Sequence, residues 1–66
     1  MLRKEAMSFA ISTNKPIRHI LFGPDEYIKF NGKELVDEEG IILPYNEFWN
    51  IRCGGIWNDG WSEYKK

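Results

Sequence analysis

This 66-residue chain has a single cysteine and a single histidine. Cys53 has no partner for an internal disulfide, and beside His19 it falls short of the three or four ligands that a zinc site needs. Neither a metal nor a cofactor is expected. Lysine and arginine do not outnumber the acids, and the formal charge is −1, so the basic footprint of a domain that grips duplex phosphates is missing. No apolar run approaches the roughly 20 residues of a membrane span, and the N-terminal residues lack the apolar stretch of a secretory signal. The expected address is the cytoplasm, with neither duplex nucleic acid nor membrane as partner. The chain also lacks a phosphate-cradling glycine loop, a nucleophile elbow and a metalloprotease helix. No catalytic residue is assigned, and the chain reads as a binding protein rather than an enzyme.

What it has in quantity is aromatic surface. Phe, Trp and Tyr make up 15% of the residues, and the three tryptophans, Trp49, Trp57 and Trp61, all fall in the C-terminal third. A single domain spanning residues 1–66 of this size is marginal, because one small core rarely contributes more than roughly 3–5 kcal/mol. Large aromatic side chains can rescue such a core, and the same side chains are suited to a binding surface.

The apolar residues Leu2, Ala6, Phe9 and Ala10 recur at helical spacing, with Met7 and Ile11 widening the stripe, and predict one short helix over Leu2 to Thr13. Ser12, Thr13 and Asn14 end it, and Pro16 biases Lys15 away from helical angles. Beyond that point short β-branched and aromatic runs alternate with turn residues, as in an antiparallel sheet. Strands are predicted over Ile17 to Phe22, Tyr27 to Phe30, Lys33 to Val36 and Trp61 to Tyr64, and Ile41 to Leu43 is a short apolar run. Asn31-Gly32 predicts a type I′ hairpin turn. Tyr45 to Asn50 is open between a helical turn, an extended segment and an aromatic-anchored loop. The expected fold is α+β, a short N-terminal helix packed on a small antiparallel sheet of about four to five strands.

Strict alternation along the first strand places Ile17, His19 and Leu21 on one face and Arg18, Ile20 and Phe22 on the other. Both faces then hold apolar residues. One helix covers only one of them, so the other must meet an additional strand layer or a second subunit, which points to a homo-oligomer.

Several short segments, taken in order, resemble a family of small phage and prophage proteins that includes the second Thoeris anti-defence family and an anti-CRISPR relative. They are Glu5-Ala6, Asn14-Lys15-Pro16-Ile17-Arg18, Pro24 to Lys29, Leu35 to Gly40, and Asp59-Gly60-Trp61-Ser62-Glu63-Tyr64. The chain departs from the family in having Arg18-His19 where an Arg-Arg pair is frequent and Phe22 where a Trp follows the strand. Its segment between Gly40 and Asp59 is also short and unfamiliar. The resemblance implies a helix on an antiparallel sheet, assembled into homo-oligomers that sequester a cyclic adenine-nucleotide signal at subunit junctions. It also implies the cytoplasm of the host cell as the site of action.

Holding such a signal needs flat apolar faces for a base, cations or backbone donors for phosphates, and amide or carboxylate groups for ribose hydroxyls. The candidate ligand-binding residues are Arg18, Phe22, Trp49, Arg52, Trp57, Asn58 and Asp59. Three have a plainer assignment beside the ligand role: core for Trp49 and Trp57, a solvated or salt-bridged surface position for Arg18. Trp61 and His19 are read as core, Cys53 as an inert thiol, and Asp37-Glu38-Glu39 as a solvated turn. The alternative function is an inhibitor that contacts a host defence protein through the aromatic-rich C-terminal third.

Overall fold

The computed structural model describes residues 1–65. Its first element is helix α1, Arg3–Thr13. Leu2 precedes it as the N-cap and has no side-chain acceptor, so the first turn is tied in other ways. The Leu2 N–H donates to Glu5 Oε1 at 2.9 Å, and the Arg3 N–H donates to the Asn58 carbonyl at 2.8 Å. The helix ends where Asn14 adopts a left-handed conformation, φ 57°, a residue type that tolerates it. Thr13 Oγ1 donates back to the Phe9 carbonyl at 2.6 Å. Ala6, Met7 and Ala10 form the buried stripe, while Leu2 and Ile11 stay exposed. The small alanines let the helix lie close to the sheet.

Five antiparallel strands follow: β1 Ile17–His19, β2 Ile28–Phe30, β3 Leu35–Asp37, β4 Ile42–Leu43 and β5 Trp61–Glu63. Their order is β4-β3-β2-β1-β5. The first four form a meander. The chain then passes through helix α2, Tyr45–Asn50, and a 3₁₀ turn, Gly55–Trp57, to return as β5 beside β1. This is the expected α+β architecture.

Pairing of Ile17 with Ile28, of His19 with Trp61 and of Leu35 with both Phe30 and Leu43 sets one sheet face. That face meets α1 and Phe48 of α2 in a core built on Ala6, Met7, Ala10, Ile17, Ile28 and Trp61. Arg18, Lys29 and Ser62 alternate with them onto the opposite face, joined by Val36 and Ile42.

Two local expectations are corrected, and one open segment is settled. The first strand stops at His19 instead of Phe22, because the Phe22 N–H donates to the His19 carbonyl at 2.9 Å and closes a turn. Phe22 therefore folds back into the core, 7% exposed, instead of facing away from His19, and Ile20 and Leu21 are left 72% and 56% exposed at the turn. The apolar second face that the oligomer argument used is thus mostly polar along β1 and β5. The Asn31-Gly32 turn is not type I′: Gly32 has φ +94°, but Asn31 is absent from the positive-φ residues. Asn31 acts through its side chain, whose Oδ1 accepts the N–H groups of Lys33 and Glu34 at 2.9 and 2.7 Å. That Asx-type turn delays the return strand to Leu35. The open segment 45–50 is helical and brief, with Phe48 directed into the core.

Candidate functional site

His19 organises the aromatic end of the core. It is fully buried, and both ring nitrogens are committed to the main chain. Nδ1 accepts the Leu21 N–H at 3.1 Å, which leaves the proton on Nε2, shared between the carbonyls of Ile56 at 3.0 Å and Asp59 at 2.7 Å. One tautomer satisfies all three contacts. The ring packs on Trp57 and Trp61 at centroid distances of 4.3 and 4.9 Å. Trp61 in turn donates from Nε1 to the Trp57 carbonyl at 2.7 Å. A ring held this way fixes the 3₁₀ turn and the Asp59-Gly60 corner and has no nitrogen left for a substrate.

The sequence-selected residues divide around this centre. Phe22 is core, meeting Trp61 edge-on at 5.6 Å. Trp57 lies between His19 and the Arg52 guanidinium, which is 5.3 Å from its ring. Arg52 also lies 4.1 Å over Phe48 and donates from Nη1 to the Phe48 carbonyl at 3.3 Å. Arg18 projects from the opposite sheet face and donates from Nη2 to the Phe22 carbonyl at 3.2 Å. These four are not assembled into one pocket.

Trp49 and Asn58 are each brought beside the first turn of α1. Arg3, Lys4, Met7, Tyr45 and Trp49 line one depression of about 320 Å³, and Leu2, Arg3, Lys4 and Asn58 line a second. Arg3 and Lys4 line both, a cationic strip shared by one depression that holds an aromatic pair and another that holds an amide. The Arg3 guanidinium sits 5.3 Å from the Trp49 ring, and Tyr45 meets Trp49 edge-on at 6.3 Å. Asp59 lines neither depression; its Oδ1 accepts the Gly60 N–H at 2.8 Å and lies 3.9 Å from the Met1 ammonium. Arg3 and Lys4 stand in the first turn of α1. Only the passage of α2 over the sheet brings Trp49 to them.

Three buried donors find no acceptor among the described residues: Arg18 Nε, Trp49 Nε1 and Arg52 Nε. Such groups are few in folded proteins and each costs about 1–3 kcal/mol. All three belong to residues selected from the sequence as ligand-binding.

On the other side of α2 the electrostatics reverse. A groove of about 370 Å³ runs over Ile28, Leu43 and Phe48 and carries Glu26, Asp37, Glu38 and Glu47 on its walls, with Arg52 its one cation. Asp37 Oδ1 is spent on its own turn, accepting the N–H groups of Glu39 and Ile41. No trio of His, Cys, Asp or Glu suited to a metal ion is found among the described residues, and none of their helices is long and apolar enough to cross a membrane. Cys53 is exposed and unpaired. No family model, curated protein or solved structure matches the chain.

Proposed function

We propose that this protein is a phage-type anti-defence protein that binds and sequesters a small, cyclic nucleotide immune signal without cleaving it. The observation that carries the reading is the joining of Arg3 and Lys4 to Trp49 and Tyr45 in one depression. Two cations supply phosphate contacts. A guanidinium lying along an indole offers its outer plane to a base, as arginine does in nucleic-acid recognition. Asn58 in the second depression supplies an amide for a ribose hydroxyl. The resemblance to the Thoeris anti-defence family supports the same ligand class. Both depressions are open on one side in the single chain, so the proposal includes a second subunit closing the site.

Titration calorimetry against a panel of cyclic nucleotides and cyclic ADP-ribose isomers tests it. Saturable binding at micromolar concentrations or tighter is expected, with the ligand recovered intact after heat denaturation. The charge reversal Lys4→Glu, at an exposed position, should weaken binding about tenfold. Absence of binding across the panel would refute the reading, and recovery of a chemically altered nucleotide would replace sequestration with catalysis.

A further inference from the structure

We infer that the acid-walled groove on the far side of α2 docks a segment of a partner protein in which an apolar side chain is flanked by lysines or arginines. This surface is separate from the Arg3–Lys4 strip and does not depend on what that strip holds. Its floor is apolar, from Ile28, Leu43 and Phe48, and at its lip stands Ile51, 76% exposed. An apolar anchor set there removes both surfaces from water.

The walls select the charge of what surrounds the anchor. Glu26, Asp37, Glu38 and Glu47 face the groove, and none of them has a lysine or arginine ion partner among the described residues. Glu26 and Asp37 serve local turns, accepting N–H groups of Gly23, Glu39 and Ile41. Glu38 and Glu47 make no such bond among the described residues. Arg52 offsets only part of this charge, one cation against four carboxylates, and its guanidinium is held on Phe48, with Nη1 bonded to the Phe48 carbonyl, instead of in an ion pair with a wall carboxylate. The result is a net negative rim around an apolar trough, and such patches both steer and discriminate partners.

The extent of the surface favours a chain over a small cation. A second depression, lined by Pro16, Asp25, Tyr27, Glu38 and Tyr64, adjoins the groove and shares Tyr27 and Glu38 with it. It adds another carboxylate, Asp25, and a wall made by the Tyr27–Tyr64 pair at 4.6 Å. An extended segment laid through both places its anchor over Phe48 and its cations beside Glu47, Glu38 and Asp25 in turn. The inhibitor alternative raised from the sequence thereby gains a surface, on the β2–β3 side of α2 rather than among the tryptophans.

Fluorescence anisotropy of the full chain with a labelled peptide, one tryptophan flanked on each side by two lysines, tests the inference. Saturable binding is expected. It should fall about tenfold for the double variant Glu38→Lys/Glu47→Lys, whose positions are exposed, and the same peptide with glutamates in place of lysines should not bind. Circular dichroism of the variant confirms that it is folded. The inference fails if the lysine peptide does not bind, if the reversed variant binds it equally, or if spermidine displaces it at concentrations that bind the protein just as tightly. Concentration-dependent dimerisation abolished by the same double variant would assign the groove to a second copy of this chain and overturn it as well.

Discussion

At His19 the fold places three backbone groups under the control of one ring. Replacing it with phenylalanine keeps the shape and the stacking on Trp57, but it strands the Leu21 N–H and the carbonyls of Ile56 and Asp59. Burial without a partner costs more than the bond contributed, so His19→Phe should lose about 2–4 kcal/mol, read as a lower urea midpoint at constant slope. Gly60 stands against the same ring. Its φ is +90°, and a Cβ there would lie 3.1 Å from His19 Nε2 and 3.2 Å from Ile20 Cγ1. Gly32 has φ +94° with nothing within 4 Å. Both alanine variants pay for the left-handed backbone, about 1 kcal/mol, and Gly60→Ala adds a clash with a fully buried ring. Gly60→Ala is expected to be the more destabilising of the two by at least about 1 kcal/mol, and equal urea midpoints would show that the corner yields without strain.

Helix α2 is the element on which the sites turn. It is six residues long, too short to be stable alone, so its packing holds it in place. Adjacent residues on a helix diverge by about 100°, which sends Phe48 into the core and Trp49 toward Arg3. Phe48→Ala should cost about 3–5 kcal/mol, as much as a core this small contributes, and the expected result is loss of the cooperative thermal transition. Tyr45→Ala, at an exposed residue lining the cationic depression, should change stability by less than about 0.5 kcal/mol while weakening nucleotide binding. The same element marks the limit of what local pattern shows. Helix α1, the sheet and the position of the turn at Asn31 were legible within a few residues from spacing and turn residues, although the type of that turn was not. The direction of Phe48 and Trp49 was not, because helix and strand both suit the run Tyr45 to Asn50 until the return to β5 decides between them. The early end of β1 was hidden for a related reason: Ile20 to Phe22 continue the alternation, and only the turn closing on the His19 carbonyl breaks it. Of the site, Trp49 and Asn58 could be selected by residue type. Arg3 and Lys4 could not, since their role depends on a contact made more than forty positions away along the chain.

Across the whole molecule, a formal charge of −1 conceals a separation of signs. Arg3 and Lys4 line both depressions on one side of α2, while Glu26, Asp37, Glu38 and Glu47 line the groove on the other. If each surface recognises its ligand by local complementarity, reversals of charge should act independently. Arg3→Glu/Lys4→Glu should weaken a nucleotide about tenfold or more and leave the lysine-flanked peptide within about twofold, and Glu38→Lys/Glu47→Lys should do the opposite. Net charge changes by equal amounts in the two variants, with opposite sign. A purely long-range effect would therefore make the arginine-lysine reversal strengthen peptide binding and the glutamate reversal strengthen nucleotide binding. Calorimetry and anisotropy on the same preparations, repeated at two salt concentrations, separate these outcomes, because long-range steering fades beyond a Debye length of about 8 Å at physiological ionic strength. Crossed effects that vanish in salt belong to the overall field, whereas losses confined to one ligand at both salt concentrations belong to the sites themselves.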